Sequence, residues 1–235
     1  MHDEYVSLIP NGDILVHSGD FFNFHNPKQE LKSAMKMLDT FFKKMPHKYK
    51  IFVAGNHDLN LEYDAADTSR IDSLLPHGIY LCDRKINLYD INFYGTPWNN
   101  SIGMSFYEQK LKSVWEKVPE DTDILITHIP PFGINDYGCN KFWDGETWIC
   151  DYCTEANPEK GPVYHGYYSH QGCPHLKEAI FSKIRPKIHL FGHVHNRNGV
   201  VQHKGILFCN GALQYRQVPI VIDYHRRKKT FNCVC

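Results

Sequence analysis

The stretch Phe191-Gly192-His193-Val194-His195 decides the architecture that this sequence predicts. It follows an apolar, β-branched run, as do three other short polar clusters: Ser18-Gly19-Asp20, Ala54-Gly55-Asn56-His57-Asp58 and Ile126-Thr127-His128. Each cluster is expected at the carboxyl end of a strand, where α/β sheets place their sites. The four segments together predict one site in an α/β fold.

The side chains of these clusters form a mixed nitrogen and oxygen ligand set. Two histidines separated by one residue, a third histidine, a carboxylate and an amide oxygen suit divalent ions such as zinc, iron, manganese or cobalt. No cysteine stands among them, which argues against a closed structural zinc site. The sequence therefore predicts a metal site built from histidine, carboxylate and amide ligands.

The order of these motifs, GD, then GNHD, then TH, then GHVH, resembles that of the calcineurin-like metallophosphoesterase superfamily over about residues 11–210. The resemblance implies a four-layer αββα sandwich, in which two mixed β-sheets are flanked by helices. Residues 15–21, LVHSGDF, and residues 95–98, GTPW, are most similar to one small branch. That branch includes metallophosphoesterase-domain brain proteins and class III cyclic nucleotide phosphodiesterases.

The resemblance also implies a ligand role for five of the motif residues. Asp20 would be the carboxylate that bridges two divalent metals, with Mn, Fe, Zn or Co as candidates. The second metal would be completed by Asn56, His128 and His193. His195 would belong to the first metal.

Three further residues would act on the substrate. His57 would donate a proton or stabilise charge at the leaving oxygen, a role that suits an imidazole because its pKa lies near neutrality. Asp58 would orient His57, and Asn210 is expected to contact the substrate. Two metals about 3.5–4 Å apart would activate a hydroxide for in-line attack on phosphorus, which implies phosphoester hydrolysis.

The superfamily's opening motif, D-x-H on a first strand, is absent before Asp20. We therefore expect the first strand to be missing, through either a shortened gene model or a real truncation. His2 and Asp3 stand in the wrong order to substitute. The first metal would keep only His195 and the shared Asp20, so we expect one tight metal position, one weak or vacant position, and impaired activity.

Within the superfamily, the sequence favours a phosphodiesterase acting on small or cyclic-nucleotide-like diesters. Asp20 is followed by Phe21-Phe22-Asn23, so the tyrosine of purple acid phosphatases is missing, as are the signatures of protein Ser/Thr phosphatases. The alternative is a non-catalytic metal-binding scaffold of the same fold that binds protein partners. The missing motif favours the scaffold, whereas the intact His57 and Asp58 favour the enzyme.

Composition limits the remaining possibilities. The chain has 235 residues, is 42% hydrophobic and is expected to form a single domain over 1–235. Lysine plus arginine and aspartate plus glutamate number 26 each, so no broad surface for nucleic acid is expected and the substrate should be a small phosphoester. No apolar window spans a membrane and no secretory signal is visible, which predicts a cytoplasmic protein without a membrane partner.

The segments between the motifs predict alternating strands and helices. Helices are expected at 29–45, at 104–118 and at 175–183, and residues 71–75 are expected to end a further short helix. Strands are expected at 13–17, 49–53, 79–81, 91–94, 123–127, 187–191, 199–202, 206–209, 218–222 and 230–234.

A Cys- and aromatic-rich insertion at about 130–172 follows His128 and lacks periodicity. Long loops of this kind commonly act as lids, so walls over the substrate are one prediction and a self-packed surface loop is the other. The wall candidates are Tyr137, Trp143, Trp148 and Tyr164. The C-x-x-C of Cys150 and Cys153 could hold zinc with partners such as Cys139, Cys173 or His165, but a single C-x-x-C favours unpaired thiols or disulfides.

Overall fold

The computed structural model describes residues 6–22, 31–62, 67–101, 104–139, 147–149, 151–156, 159, 161–166, 168–213, 218–225, 227–228 and 230–233. His2, Asp3, Trp143 and Cys150 lie outside the described residues, as do the side chains of Cys139 and Trp148. No helix among the described residues is long and apolar enough to cross a bilayer.

The first sheet has three parallel strands in the order in which they occur along the chain. They are β1 (Ile14–His17), β2 (Tyr49–Phe52) and β3 (Ile79–Tyr80). Every residue of β1, the edge strand, is only half-buried. The helices of this half are α1 (Leu31–Lys44), α2 (Leu59–Glu62) and α3 (Thr68–Leu74).

The second sheet has six strands and is mixed. Its strands are β4 (Arg84–Leu88), β5 (Ile91–Thr96), β6 (Ile124–Thr127), β11 (Ile188–Phe191), β12 (Gly199–His203) and β13 (Ile206–Asn210). Their spatial order is β12-β13-β11-β6-β5-β4. The four central strands run parallel to one another, and each edge strand pairs antiparallel with the central strand beside it.

The side chains of alternating strand residues enter different apolar cores. Ile51 of β2 and Ile126 of β6 lie in the core between the two sheets. Phe52 packs on the opposite face of its sheet against α1, and Leu125 packs on the opposite face of its own sheet against helix residues such as Leu176. Because successive strand residues point to opposite faces, three cores result from two sheets. This layering confirms the predicted αββα sandwich.

The second half has three described helices, of which the first is shorter than the sequence predicts, the second was not predicted, and the third matches the prediction of 175–183. They are α4 (Leu111–Glu116), α5 (Asp151–Ala156) and α6 (Pro174–Ala179), which continues as a π-helical turn over Ile180–Ile184. The prediction of a helix from 104 is wrong, since Phe106 has a φ of 56° and donates its backbone N–H to Glu62. A bulky residue at positive φ cannot sit within a helix, so the helix begins at Leu111.

The insertion contains short strands instead of one irregular loop. β7 (Tyr137–Cys139) pairs with β10 (Tyr168–His170), and β8 (Trp148–Ile149) pairs with β9 (Tyr164–His165), both antiparallel. At the end of the described chain, β14 (Ile222–His225) pairs with β15 (Thr230–Cys233). The strand predicted at 218–222 therefore begins only at Ile222.

Candidate metal centre

The polar motif residues lie just beyond the carboxyl ends of four strands. Asp20 follows β1, Asn56 follows β2, His128 follows β6 and His193 follows β11. In parallel and facing sheets of this kind, such ends converge on one edge of the sandwich. The loops therefore bring together residues that are up to 173 positions apart, from Asp20 to His193.

Four potential ligand atoms converge at this edge. The Oδ1 atom of Asn56 lies 2.7 Å from Nε2 of His128 and 2.9 Å from Nδ1 of His193. The two imidazole nitrogens are 3.2 Å apart, and Oδ2 of Asp20 lies 3.3 Å from Nε2 of His128. The ligand atoms of Asp20, His128 and His193 all lie within 4.8 Å of one another. This is a compact cluster of one carboxylate, one amide oxygen and two imidazoles.

The hydrogen bond on the far side of the His128 ring determines what this cluster can bind. Nδ1 of His128 lies 2.8 Å from the carbonyl oxygen of Ser18, which can only accept, so Nδ1 carries the proton. In the neutral ring, Nε2 then offers a lone pair toward the oxygens of Asn56 and Asp20. Acceptors that face one another repel unless a cation or proton lies among them. The donor set therefore fits a divalent metal, and the Ser18 carbonyl fixes the ligating nitrogen.

Two glycines allow these loops to approach one another. A Cβ on Gly19, whose φ is +103°, would lie 2.5 Å from Nδ1 of His128. A Cβ on Gly55 would lie 2.6 Å from the backbone nitrogen of Asp20 and 2.7 Å from Cε1 of His128. Contacts this short do not occur with real side chains, so only glycine fits at either position. Both glycines of the motifs serve the close packing of the ligand loops.

The carboxylate of Asp58 ties the first two loops together. It is fully buried and accepts backbone N–H bonds from Asp20 at 2.8 Å, Phe22 at 2.9 Å and Gly55 at 2.6 Å. Asp20 needs such support, since its own φ is 60°. The Oδ1 atom of Asp20 in turn accepts the backbone N–H of His57 at 2.9 Å. The sequence indicated only a catalytic role for Asp58. Its structural role was not visible there, because two of the three bonds span 36 and 38 residues of chain.

The charges of the cluster are strongly coupled. Burial would raise the pKa of Asp20, but the imidazoles of His128, His57 and His193 together hold it well below its usual range. Burial would lower the pKa of His128, yet the Asp20 carboxylate raises it. Burial, aided by His128, lowers the pKa of His193 to about 3. Burial, and to a lesser extent the charge of Asp20, raise the pKa of Asp58 to about 7, although the N–H bonds from Phe22 and Gly55 act to lower it.

The remaining predicted site residues occupy different surroundings. His57 is half-buried beside Asp20, and half-buried His195 begins a 3-10 turn that ends at Arg197. Asn210 is fully buried, where its amide donates to the carbonyl of Val194 at 2.9 Å and accepts from the N–H of Ala212 at 3.0 Å. Its predicted substrate contact stays a prediction, and its burial counts against it.

The aromatic residues predicted as substrate walls lie in the insertion. Tyr137 is half-buried, and its hydroxyl lies 3.1 Å from Nδ1 of His165. Tyr164 is 59% exposed. Cys173 caps the start of α6, where its sulfur accepts the N–H of Leu176. Whether any of these aromatic rings borders a substrate stays a prediction.

Comparison with known proteins agrees with this geometry. The calcineurin-like phosphoesterase family matches residues 3–197. A UPF0046 protein of Caenorhabditis elegans is 32% identical over 241 residues, which cover 94% of this chain and 75% of that protein. Metallophosphoesterase domain-containing protein 1 of Homo sapiens is 30% identical over 92% of this chain and 65% of its own length. The crystal structure of TT1561 of Thermus thermophilus shares the fold, with a TM-score of 0.54, 12% identity, and coverage of 99% of this chain and 91% of that one.

Proposed function

Because the chain belongs to the calcineurin-like phosphoesterase family, whose members are metal-dependent hydrolases, we propose that it is a phosphodiesterase for small or cyclic-nucleotide-like diesters. The observation that carries the proposal is the convergence of Asp20, Asn56, His128 and His193 on one point. We further propose that residues 1–235 form one domain, with the insertion at 130–172 as part of it.

These four side chains would hold the better-built metal position. A divalent cation held there would polarise the phosphoryl oxygens as a Lewis acid and lower the pKa of bound water. The protein itself contributes orientation, because Asp20 is held through its backbone by Asp58 and His128 by the Ser18 carbonyl. Ligands fixed in this way need little rearrangement when a substrate arrives.

His57 is the proposed proton donor at the leaving oxygen. Its backbone N–H donates to Oδ1 of Asp20, so the residue lies next to the proposed metal ligands, and it is only half-buried. An imidazole in this position can give up a proton near neutral pH. Asp58 would contribute by fixing the loop that carries His57.

The other metal position is less complete. His195 and the second oxygen of Asp20 are its proposed ligands, and within the described part of the chain no group of three ligating side chains includes His195. Too few strong ligands imply weak binding there. We therefore propose one tight and one weak position, with manganese, iron, zinc or cobalt as the physiological metal.

Hydrolysis of a synthetic diester and its matching monoester tests this proposal. Bis(4-nitrophenyl) phosphate should be hydrolysed faster than 4-nitrophenyl phosphate when manganese is added. The substitution His57→Ala should lower kcat about 10²–10⁴-fold while manganese binding persists. His77→Ala is the matched control, since this histidine pairs with Asp39 on α1 and should leave turnover unchanged.

A manganese titration followed by electron paramagnetic resonance completes the test. One tight equivalent and a second, much weaker one are expected, and two tight equivalents would contradict the proposed asymmetry. The incomplete position favours one second candidate, a metal-binding scaffold that recruits protein partners. That candidate gains if the chain binds manganese tightly yet hydrolyses neither ester.

A further inference from the structure

A second cluster of ligating side chains lies in the insertion and shares no residue with the proposed phosphoesterase centre. Cys153 stands on α5, His165 ends β9 and His170 ends β10. The sulfur of Cys153 lies 3.2 Å from Nε2 of His170 and 3.3 Å from Nε2 of His165. The three ligand atoms lie within 4.8 Å of one another. Each of the two imidazoles therefore directs its Nε2 atom at the sulfur of Cys153.

The opposite nitrogen of each ring is held by a different polar group. Nδ1 of His170 lies 2.8 Å from Oδ1 of Asp136, and Nδ1 of His165 lies 3.1 Å from the hydroxyl of Tyr137. Metal-binding histidines characteristically bond their second nitrogen to a carboxylate or another acceptor, which orients the ring. Both rings of the cluster satisfy this condition.

Asp136 is itself fixed for this role. It is 2% exposed, and its Oδ2 atom accepts the backbone N–H groups of Gly133 at 2.9 Å and Gly172 at 3.2 Å. These bonds leave Oδ1 directed at His170. The histidine is thus supported by a buried carboxylate that the loops on both sides of the insertion hold in place.

The observed separations are close to those of a tetrahedral zinc site. With Zn–S near 2.3 Å and Zn–N near 2.0–2.1 Å, a tetrahedral angle places sulfur and nitrogen about 3.6 Å apart. The two sulfur–nitrogen distances are shorter by only a few tenths of an ångström. Small side-chain movements would therefore admit the ion without a change in the fold.

We infer that Cys153, His165 and His170 form a zinc site in the insertion, built from residues other than those of the proposed phosphoesterase centre. One thiolate and two imidazoles suit zinc better than manganese or magnesium. Three protein ligands leave the fourth tetrahedral position of the ion for water or another ligand.

The same atoms also resemble a Cys-His-Asp relay, in which a histidine activates a cysteine nucleophile. Such a relay needs one imidazole at the sulfur. Here a second imidazole lies at nearly the same distance, with its own supporting hydroxyl. A relay has no use for this ring, whereas a metal site requires it.

The zinc site would brace the turn that carries His195. Arg197, at the end of this turn, donates from Nε to the carbonyl of Tyr137 at 2.9 Å, and its guanidinium lies 5.7 Å from the centre of the Tyr137 ring. A Cβ on Gly138 would lie 2.8 Å from Cγ1 of Val194. Since β7 packs so closely on this turn, a clamp on the insertion restricts the turn as well.

Cobalt substitution of the reduced full-length chain tests the inference without any need for activity. A thiolate–cobalt bond gives a charge-transfer band in the near ultraviolet, and the predicted ligands of the phosphoesterase centre include no sulfur. The wild-type chain should show this band, and zinc should abolish it. Cys153→Ser should remove the band, whereas the matched control Cys82→Ser should keep it. The absence of the band from the wild-type chain would overturn the inference, even if the variants misfold.

Histidine and carboxylate variants test the remaining ligands. His170→Gln should lower zinc affinity at least tenfold, whereas His175→Gln, an exposed neighbour on α6, should have no effect. Asp136→Asn should weaken zinc binding about 10–100-fold, as expected for the partner of a ligating histidine. Rapid alkylation of Cys153 in a chain that takes up no zinc would contradict the metal site and support the Cys-His-Asp relay. Because these readouts do not involve hydrolysis, failure of the phosphodiesterase proposal would leave them unaffected.

Discussion

The substitution Asp58→Asn should destabilise the protein even when no metal is bound. The asparagine keeps the size of the side chain but replaces one acceptor oxygen with an NH₂ group. Its oxygen can still accept from Asp20 and Gly55, and its NH₂ group then faces the N–H of Phe22. Two donors would meet in a site with no access to water.

The magnitude follows from these three bonds at a pH above 7, where Asp58, whose pKa is raised to about 7, carries its charge. Hydrogen bonds to a charged acceptor contribute about 1.5–3 kcal/mol, neutral ones about 0.5–1.5 kcal/mol, and a buried donor without a partner costs about 1–3 kcal/mol. Relief from burying the Asp58 charge offsets part of this loss. We expect the free energy of unfolding to fall by about 2–4 kcal/mol.

Urea unfolding in the presence of a chelator measures this change, because chelation removes the stabilisation that bound metal adds. Asp121→Asn is the control, since this carboxylate is exposed and its contacts with the side chains of Lys85 and Asn92 lie at the surface. A change below about 0.5 kcal/mol is therefore expected. A stability of Asp58→Asn within that same range would refute the reasoning. If hydrolysis were then lost, Asp58 would act only by orienting His57.

Two further predictions concern buried polar side chains. The Thr127 hydroxyl donates to the carbonyl of Ile129 and therefore accepts from Nε2 of His189, whose Nδ1 has no hydrogen-bond partner among the described residues. Burial lowers the pKa of His189 from 6.5 to about 3. As the pH falls, the unfolded chain takes up the proton on this histidine before the folded chain does. The free energy of unfolding should therefore fall below pH 6.5, by about 2 kcal/mol at pH 5. His189→Gln should remove this part of the pH dependence of stability, measured by urea titration. An unchanged slope would contradict this. Asn210→Leu, which strands the carbonyl of Val194, should lower the urea midpoint, whereas a raised KM at unchanged stability would indicate a substrate contact instead.

The sequence predicted the ligand cluster because its residues follow strands that could be recognised locally. An apolar run followed by Gly-Asp or Gly-Asn-His-Asp can be recognised within about ten consecutive residues. The support beneath the ligands has no such signature. The bond from His128 to the Ser18 carbonyl spans 110 residues and involves a backbone atom, which no residue pattern marks.

The secondary structure of the insertion could not be predicted from the sequence for a different reason. Its strands β7 to β10 have two or three residues each, too few to produce an alternating pattern. The prediction of an irregular segment therefore missed the pairing that brings His165 and His170 to Cys153. The failed helix at 104–110 is similar, because the tertiary bond from Phe106 to Glu62 overrides a helical spacing of apolar residues.

The support of the ligand loops also bears on the metal stoichiometry. Asp58 and the Ser18 carbonyl hold the loops of Asp20 and His128 through hydrogen bonds that require no metal. Metal binding therefore need not organise these loops, and affinity at each position should depend chiefly on the number of strong ligands. Among the described residues, the candidate ligands Asp20, Asn56, His128 and His193 converge at one position, and no group of three that could hold a metal includes His195. We therefore expect the position of these four side chains to bind metal more tightly than one that includes His195, however rigid the fold is.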